Sequence, residues 1–145
     1  MVIEPVKSDE VILIVDDVEL NRAILSELFQ KEYSILEAKN GAEALELLEQ
    51  NGGHIKVMLL DLVMPEMDGF QVLSQLRNSR WFQQIPIVLI TAENSESTAL
   101  KGYTSGVSDI INKPFYPEIV RRRVKNIIEL YNHKRFLKTK LQEQY

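Results

Sequence analysis

Cysteine is absent from the 145 residues, which excludes disulfides, thiolate nucleophiles and cysteine-ligated zinc. Glycine is scarce, six residues in all, and neither a Walker-type loop nor a dinucleotide-binding G-x-G-x-x-G occurs, so nucleotide sites of those kinds are not expected. The pair in Asn51-Gly52-Gly53 follows a helical pattern and precedes an apolar run, the wrong order for a phosphate loop, and reads as a turn. Aromatic residues make up 8%, so the core must be mostly aliphatic. No stretch approaches the roughly 18–20 consecutive apolar residues of a membrane span, and Met1 to Glu10 holds no long apolar run of the leader type. The expectation is a cytoplasmic chain with no membrane partner. Nor is there an excess of basic residues: 17 Lys and Arg stand against 21 Asp and Glu, a net charge of −4. That balance disfavours nucleic-acid binding by the domain as a whole.

What is present is a 45% hydrophobic chain, long enough for one domain with a proper core and too short for two. Five short apolar runs stand out: Val11–Val15, Tyr33–Leu36, Ile55–Leu60, Ile85–Ile90 and Ile110–Ile111. Three are near-continuous and do not alternate with polar residues, the pattern of strands buried on both faces of a parallel sheet. Helical spacing occupies the intervals. Leu20, Ala23, Ile24 and Leu28 mark a first helix, and Ala44, Leu45 and Leu48 a second. Phe70, Val72, Leu73 and Leu76 mark a third. A weaker fourth spans Ser97 to Tyr103, with Ser95 as its cap and Gly106 in the turn that follows, and a fifth starts near Pro117. Fivefold alternation predicts right-handed βαβ crossovers and an open α/β sheet with helices on both faces. In such sheets ligands bind beyond the carboxyl ends of the strands.

The residues at those ends are unusual. The first run ends in Asp16-Asp17, the third in Asp61, the fourth in Thr91-Ala92, and the fifth is followed by Asn112-Lys113-Pro114. A parallel sheet brings these ends to one edge, where three carboxylates converge. Two carboxylates ~5 Å apart repel by roughly 3 kcal/mol at an effective dielectric of ~20, so the cluster calls for a cation. Ligands offering oxygen only, with no His or Cys, point to a hard ion, Mg²⁺ or Mn²⁺. A carboxylate nucleophile, a metal, the Lys113 ammonium and the Thr91 hydroxyl together suit an aspartyl-phosphate. Taken singly, Asp17 reads equally well as a helix N-cap, Thr91 as a turn residue and Lys113 as a solvated lysine; their joint placement at separate strand ends argues otherwise.

These segments resemble a known family. Val11-Ile-Leu-Ile-Val-Asp-Asp17, Leu60-Asp-Leu-Val-Met-Pro-Glu-Met-Asp-Gly69, Pro86-Ile-Val-Leu-Ile-Thr-Ala92 and Asn112-Lys-Pro-Phe115 look like the receiver domain of two-component response regulators, in its order and spacing, over about Glu10 to Tyr131. The resemblance implies a (βα)5 doubly wound, flavodoxin-like fold with strand order 2-1-3-4-5. It implies Asp61 as phosphoacceptor and Asp16, Asp17, Asp61 and the Val63 backbone carbonyl as Mg²⁺ ligands. Thr91 becomes the switch hydroxyl, Lys113 the conserved-type lysine, Pro114 the proline of a cis peptide, and Asp68-Gly69 the turn opening the third helix. Val63 and Glu93 occupy positions that influence how water reaches the phosphoryl group. The donor it implies is a histidine kinase or a histidine phosphotransfer protein, with self-dephosphorylation rather than enzymatic turnover. One position departs: where the family usually has Tyr or Phe, three residues before the lysine, this chain has Ile110, which puts the usual threonine–aromatic coupling in doubt. Tyr103 on the fourth helix reads as partly buried packing, with a surface aromatic as the alternative.

The last helical pattern runs on past a bare receiver. Val120, Ile127, Leu130, Leu137 and Leu141 fit a heptad seam interrupted by Lys134. The expected organisation is a tail at 1–9, the receiver at 10–131 and a helical extension at 132–145. That extension would serve as a coiled-coil linker and a homodimer contact, like the front half of a multidomain regulator. The basic run Arg121–Lys125 reads as a solvated helix face. Two other functions compete with the receiver reading. A phosphatase of the haloacid-dehalogenase type would need Asp-x-Asp after the first strand, where this chain has adjacent Asp16 and Asp17. An unphosphorylated interaction module would not need the five site residues, and Ile110 alone speaks for it.

Overall fold

A computed structural model describes residues 9–64 and 66–143. Strands and helices alternate as expected. They are β1 (Val11–Val15), α1 (Glu19–Phe29), β2 (Ser34–Ala38), α2 (Gly41–Asn51), β3 (Ile55–Leu60), α3 (Gly69–Leu76), β4 (Ile87–Thr91), α4 (Glu96–Thr104), β5 (Asp109–Asn112) and α5 (Pro117–Glu143). All pairings are parallel and the five strands lie in the order β2-β1-β3-β4-β5. This is the open sheet with helices on both faces that the alternation predicted, in the doubly wound, flavodoxin-like order that the resemblance implied.

The lack of alternation in the strand sequences has a direct cause: both faces of the sheet are covered. Leu13, Val15, Met58, Leu60 and Leu89 pack against α2 and α3 through Ala44, Leu48, Val72, Leu73 and Leu76. Ile12, Ile14, Val57, Leu59, Val88 and Ile90 face the other way, onto Leu25 and Phe29 of α1 and Val120, Val124 and Ile128 of α5. Each such side chain, fully buried, contributes about 1.5–3 kcal/mol.

Side chains start three of the helices. Asn40 Oδ1 accepts from the Glu43 N–H at 2.8 Å, and Ser95 Oγ from the Thr98 N–H at 3.2 Å, the cap expected there. Asp68 and Gln71 form a reciprocal capping box, 2.9 and 2.8 Å, so the Asp68-Gly69 turn is a helix start with its first donors satisfied. Gly106 turns the chain out of α4 at φ +99°, a conformation that favours glycine.

Several expectations need correction. α1 buries Leu25 and Phe29 and packs Leu28 beside them, whereas Leu20 is 68% and Ile24 40% exposed, because α1 is apolar on more than one side. The helix-cap alternative for Asp17 does not hold, in keeping with its reading as one of the acidic cluster: the N-cap of α1 is Val18, with no side-chain bond. Tyr103 is exposed rather than packed, 52%. The basic run is not merely solvated. Arg121 and Lys125 converge on Glu32 at 2.5 and 2.7 Å, pinning α5 to the end of α1. Arg123 holds Asp109 at the start of β5 through bonds of 2.8 and 2.6 Å.

The last helix is continuous to Glu143. In its seam Val120 is buried and Ile127 packs against the core, while Leu130, Leu137 and Leu141 are 48–57% exposed. Of the N-terminal tail read at 1–9, all but Asp9 lies outside the described residues.

Candidate functional site

The parallel register decides which strand ends meet. Val15 is opposite Leu60, so Asp16 and Asp61 follow at the same level on neighbouring central strands. The Asp61 N–H continues the ladder to the Val15 carbonyl at 2.8 Å. One carboxylate oxygen from each of Asp16, Asp17 and Asp61 lies within 4.8 Å of the others. Asp16 and Asp61 are buried, at 2% and 7% exposure, while Asp17 opens to solvent. Asp16 is held at both ends: its Oδ1 accepts from the Val18 N–H at 2.9 Å, and its Oδ2 receives the Lys113 ammonium at 3.0 Å. Lys113 also reaches Asp61 Oδ2, at 3.8 Å.

Burial disfavours the charged form of Asp61, and the neighbouring Asp16 carboxylate adds to it. Lys113 and the Val63 N–H, 3.4 Å from Asp61 Oδ1, offset this only in part, and the pKa is pushed up to about 6. A lone ammonium therefore leaves the three acids undercompensated, which fits an added cation with oxygen ligands.

The other predicted residues gather from the next two strands. Thr91 closes β4, fully buried, and its Oγ1 accepts from the Glu93 N–H at 3.1 Å. It pairs with Asn112 across the sheet, and the Lys113 N–H donates to the Thr91 carbonyl at 2.9 Å, which seats Lys113 beside it. The Lys113–Pro114 peptide is cis. Val63 follows in the loop with an exposed side chain. Pro65, in the same loop, lies outside the described residues. That loop closes through the Gly69 N–H to the Leu62 carbonyl at 2.8 Å. A Cβ on Gly69 would stand 2.9 Å from the Asp61 carbonyl oxygen, so glycine is needed where α3 meets the acidic loop.

Ile110 points inward. Its Cδ1 would lie 2.9 Å from a Cβ added at Gly102, and it packs against the α2–α3 side of the core. Sequence reasoning missed Arg22. Its Nη1 donates to the Asp16 carbonyl at 2.8 Å and its Nε to Glu37 at 3.2 Å, bracing the backbone that carries the acids. A lone Arg six residues past an acidic pair gives no signal until β2 brings Glu37 alongside.

Comparison with known proteins agrees with this geometry. Residues 12–125 match the model of the response regulator receiver domain. The transcriptional regulatory protein SrrA of Staphylococcus aureus is 43% identical over 118 residues, 81% of this chain and 47% of SrrA; the chain thus spans about half the length of that relative. Among solved structures, the chemotaxis protein CheY4 of Vibrio cholerae superposes with a TM-score of 0.75 at 28% identity, covering 81% of this chain and 98% of CheY4. A two-component system response regulator/GGDEF domain protein superposes with a TM-score of 0.77 at 31% identity, covering 85% of this chain and 50% of its own. The chain belongs to the response regulator receiver domain family.

Proposed function

We propose that Asp61 accepts a phosphoryl group from a phosphohistidine and that the modified domain then acts on a partner or an attached output. Receivers in general work with histidine kinases; here the donor is a kinase or a histidine phosphotransfer protein. The observation that carries the reading is the buried carboxylate of Asp61 beside Asp16, Asp17 and Lys113 at one strand edge. An Asp61 oxygen forms a bond to phosphorus as the phosphorus–nitrogen bond breaks, and the imidazole leaves carrying a proton. Hydrolysis later returns the carboxylate and inorganic phosphate.

Asp16, Asp17, Asp61 and the Val63 carbonyl would hold Mg²⁺, which supplies neutralising charge to the phosphoryl oxygens. Lys113 contributes a second positive charge to those oxygens. The Thr91 hydroxyl, which now accepts from the Glu93 N–H, has its own proton to donate to one of them in the product. With Ile110 wedged against Gly102, no ring swings inward, so the readout runs through the loop after Thr91 and through α5. The side chains of Val18, Leu20 and Ile24, exposed around the start of α1, offer the donor an apolar surface next to the acids. The exposed seam of Leu130, Leu137 and Leu141 supports a homodimer through the last helices.

The test is intact-mass analysis after incubation with acetyl phosphate and Mg²⁺. The wild-type chain gains one phosphoryl group; Asp61→Asn, or wild type with a chelator, gains none. Equal uptake by Asp61→Asn would remove the proposal.

A further inference from the structure

We propose that the groove between the α3–β4 loop and the extension of α5 binds a small phosphate-bearing anion, and that the bound anion ties the extension to the domain. The groove is open to solvent, has a volume of about 340 Å³ and is lined by Arg77, Ser79, Arg80, Gln83, Gln84 and Lys138, with Phe82 alongside. That volume falls in the range of small-molecule sites.

Its charge is one-sided. Arg77, Arg80 and Lys138 supply three cations, and no carboxylate lines the groove among the described residues. None of the three forms an ion pair among the described residues, although the chain has a net charge of −4 and Arg121, Arg123 and Lys125 of the same last helix do find acids. Three unpaired cations in one concavity repel one another, and an anion relieves that repulsion. Ser79, Gln83 and Gln84 add groups that can donate to phosphate oxygens.

The cationic groups are partly preorganised. The Arg80 guanidinium lies over the Trp81 ring, 4.5 Å from its centroid, which leaves its N–H edges free for a bidentate bond to phosphate. Arg77 caps the end of α3, and its Nη2 donates at 3.4 Å to the Thr104 carbonyl. Beside the groove, Arg135 donates to the Gln84 carbonyl, drawing the helix against the loop, and Lys138, three residues on, lines the groove from α5. The walls therefore come from different segments, one from the domain and one from the extension, so a ligand that bridges Lys138 to Arg77 and Arg80 holds them together. With only three cations and an acidic chain around them, the groove suits a compact anion, not a nucleic-acid backbone.

This site is separate from the acidic cluster. It precedes β4, whereas Thr91 ends it, and five strand residues at about 3.3 Å each put the two edges roughly 15 Å apart. Occupancy would thus reach α5 independently of Asp61.

The test is calorimetric titration of the full chain with inorganic pyrophosphate, in a chelator so that no divalent ion draws the probe to the acids. A parallel titration with ATP distinguishes free from nucleoside-borne phosphate. Saturable binding is expected with at least one of the two probes, weakened roughly ten- to hundredfold by Lys138→Gln and by Arg80→Ala. Both variants should still take phosphate from acetyl phosphate, which shows that they fold. Amide hydrogen exchange at 132–143 should slow on binding. Absence of saturable binding with both probes at millimolar levels would overturn the site, as would affinity unchanged in both variants. Binding without slower exchange would overturn the tie to the extension.

Discussion

Lys113 stands closer to Asp16, at 3.0 Å, than to Asp61, at 3.8 Å. The single cation of the cluster among the described residues thus bonds Asp16 first and the candidate acceptor only second. Lys113→Met should slow phosphoryl uptake from acetyl phosphate by roughly 100-fold or more, the scale for losing one preorganised charge at a reacting centre. Mg²⁺ should still stabilise the variant against heat, since the three acids remain. Uptake rates followed by mass spectrometry and melting with and without Mg²⁺ check both halves.

Asp61 gives the metal-free protein a pH-dependent stability of defined sign. Its carboxyl titrates at about 6 in the fold against an ordinary 3.8, so the folded chain binds the proton more tightly than the unfolded one. The resulting destabilisation is fully present above pH 6 and is relieved as the pH falls from about 6 to about 4. At neutral pH it is at most about 3 kcal/mol. Asp61→Asn removes the charge, so the variant should be the more stable at pH 7, with the gap closing towards pH 4. Urea unfolding of both chains in a chelator across that range measures it.

The packing of Ile110 on Gly102 makes a second stability prediction. A Cβ at Gly102 meets Ile110 Cδ1 at 2.9 Å and Leu89 Cδ1 at 3.2 Å, so Gly102→Ala should cost about 1–3 kcal/mol by overpacking. Ile110→Val removes the atom nearest the new methyl and should recover part of that loss in the double variant. A double-mutant cycle by urea unfolding reads the coupling; strict additivity would show that the two side chains do not share this space.

Glu32 joins Arg121 and Lys125, and these partners hold its carboxyl below the usual range. The contribution exists above the ordinary carboxylate pKa and is lost as the pH falls through the lowered one. The group is exposed enough that Glu32→Gln should cost no more than about 1 kcal/mol, and less in high salt. Melting temperatures at low and high ionic strength decide this.

Much of the fold was legible because covering both sheet faces leaves a direct mark: β1 coincides with an uninterrupted apolar run, Val11–Val15, and β3 with one broken only by Lys56, Ile55–Leu60. The convergence of Asp16, Asp17 and Asp61 followed from topology alone, since parallel strands put their carboxyl ends on one edge. The α1 face was not legible. Val18, Leu20 and Ile24 are as apolar as Leu25 and Phe29, and only packing separates the exposed set from the buried one. The ion pairs of α5 were hidden because Glu32 and Arg121 are distant in sequence, as Arg22 and Glu37 are in part. The lining of the basic groove was hidden for the same reason: Arg77 and Lys138 meet only because α5 runs back past the α3–β4 loop.

The central claim is that Asp61 itself carries the phosphoryl group, and chemical mapping tests it most directly. After reaction with acetyl phosphate and Mg²⁺, borohydride reduces an aspartyl-phosphate to homoserine, which peptide sequencing by mass spectrometry locates. Homoserine is expected at position 61 alone, and none when Mg²⁺ is chelated. Homoserine at Asp16 or Asp17, or none anywhere in a folded, Mg²⁺-loaded chain, would contradict it.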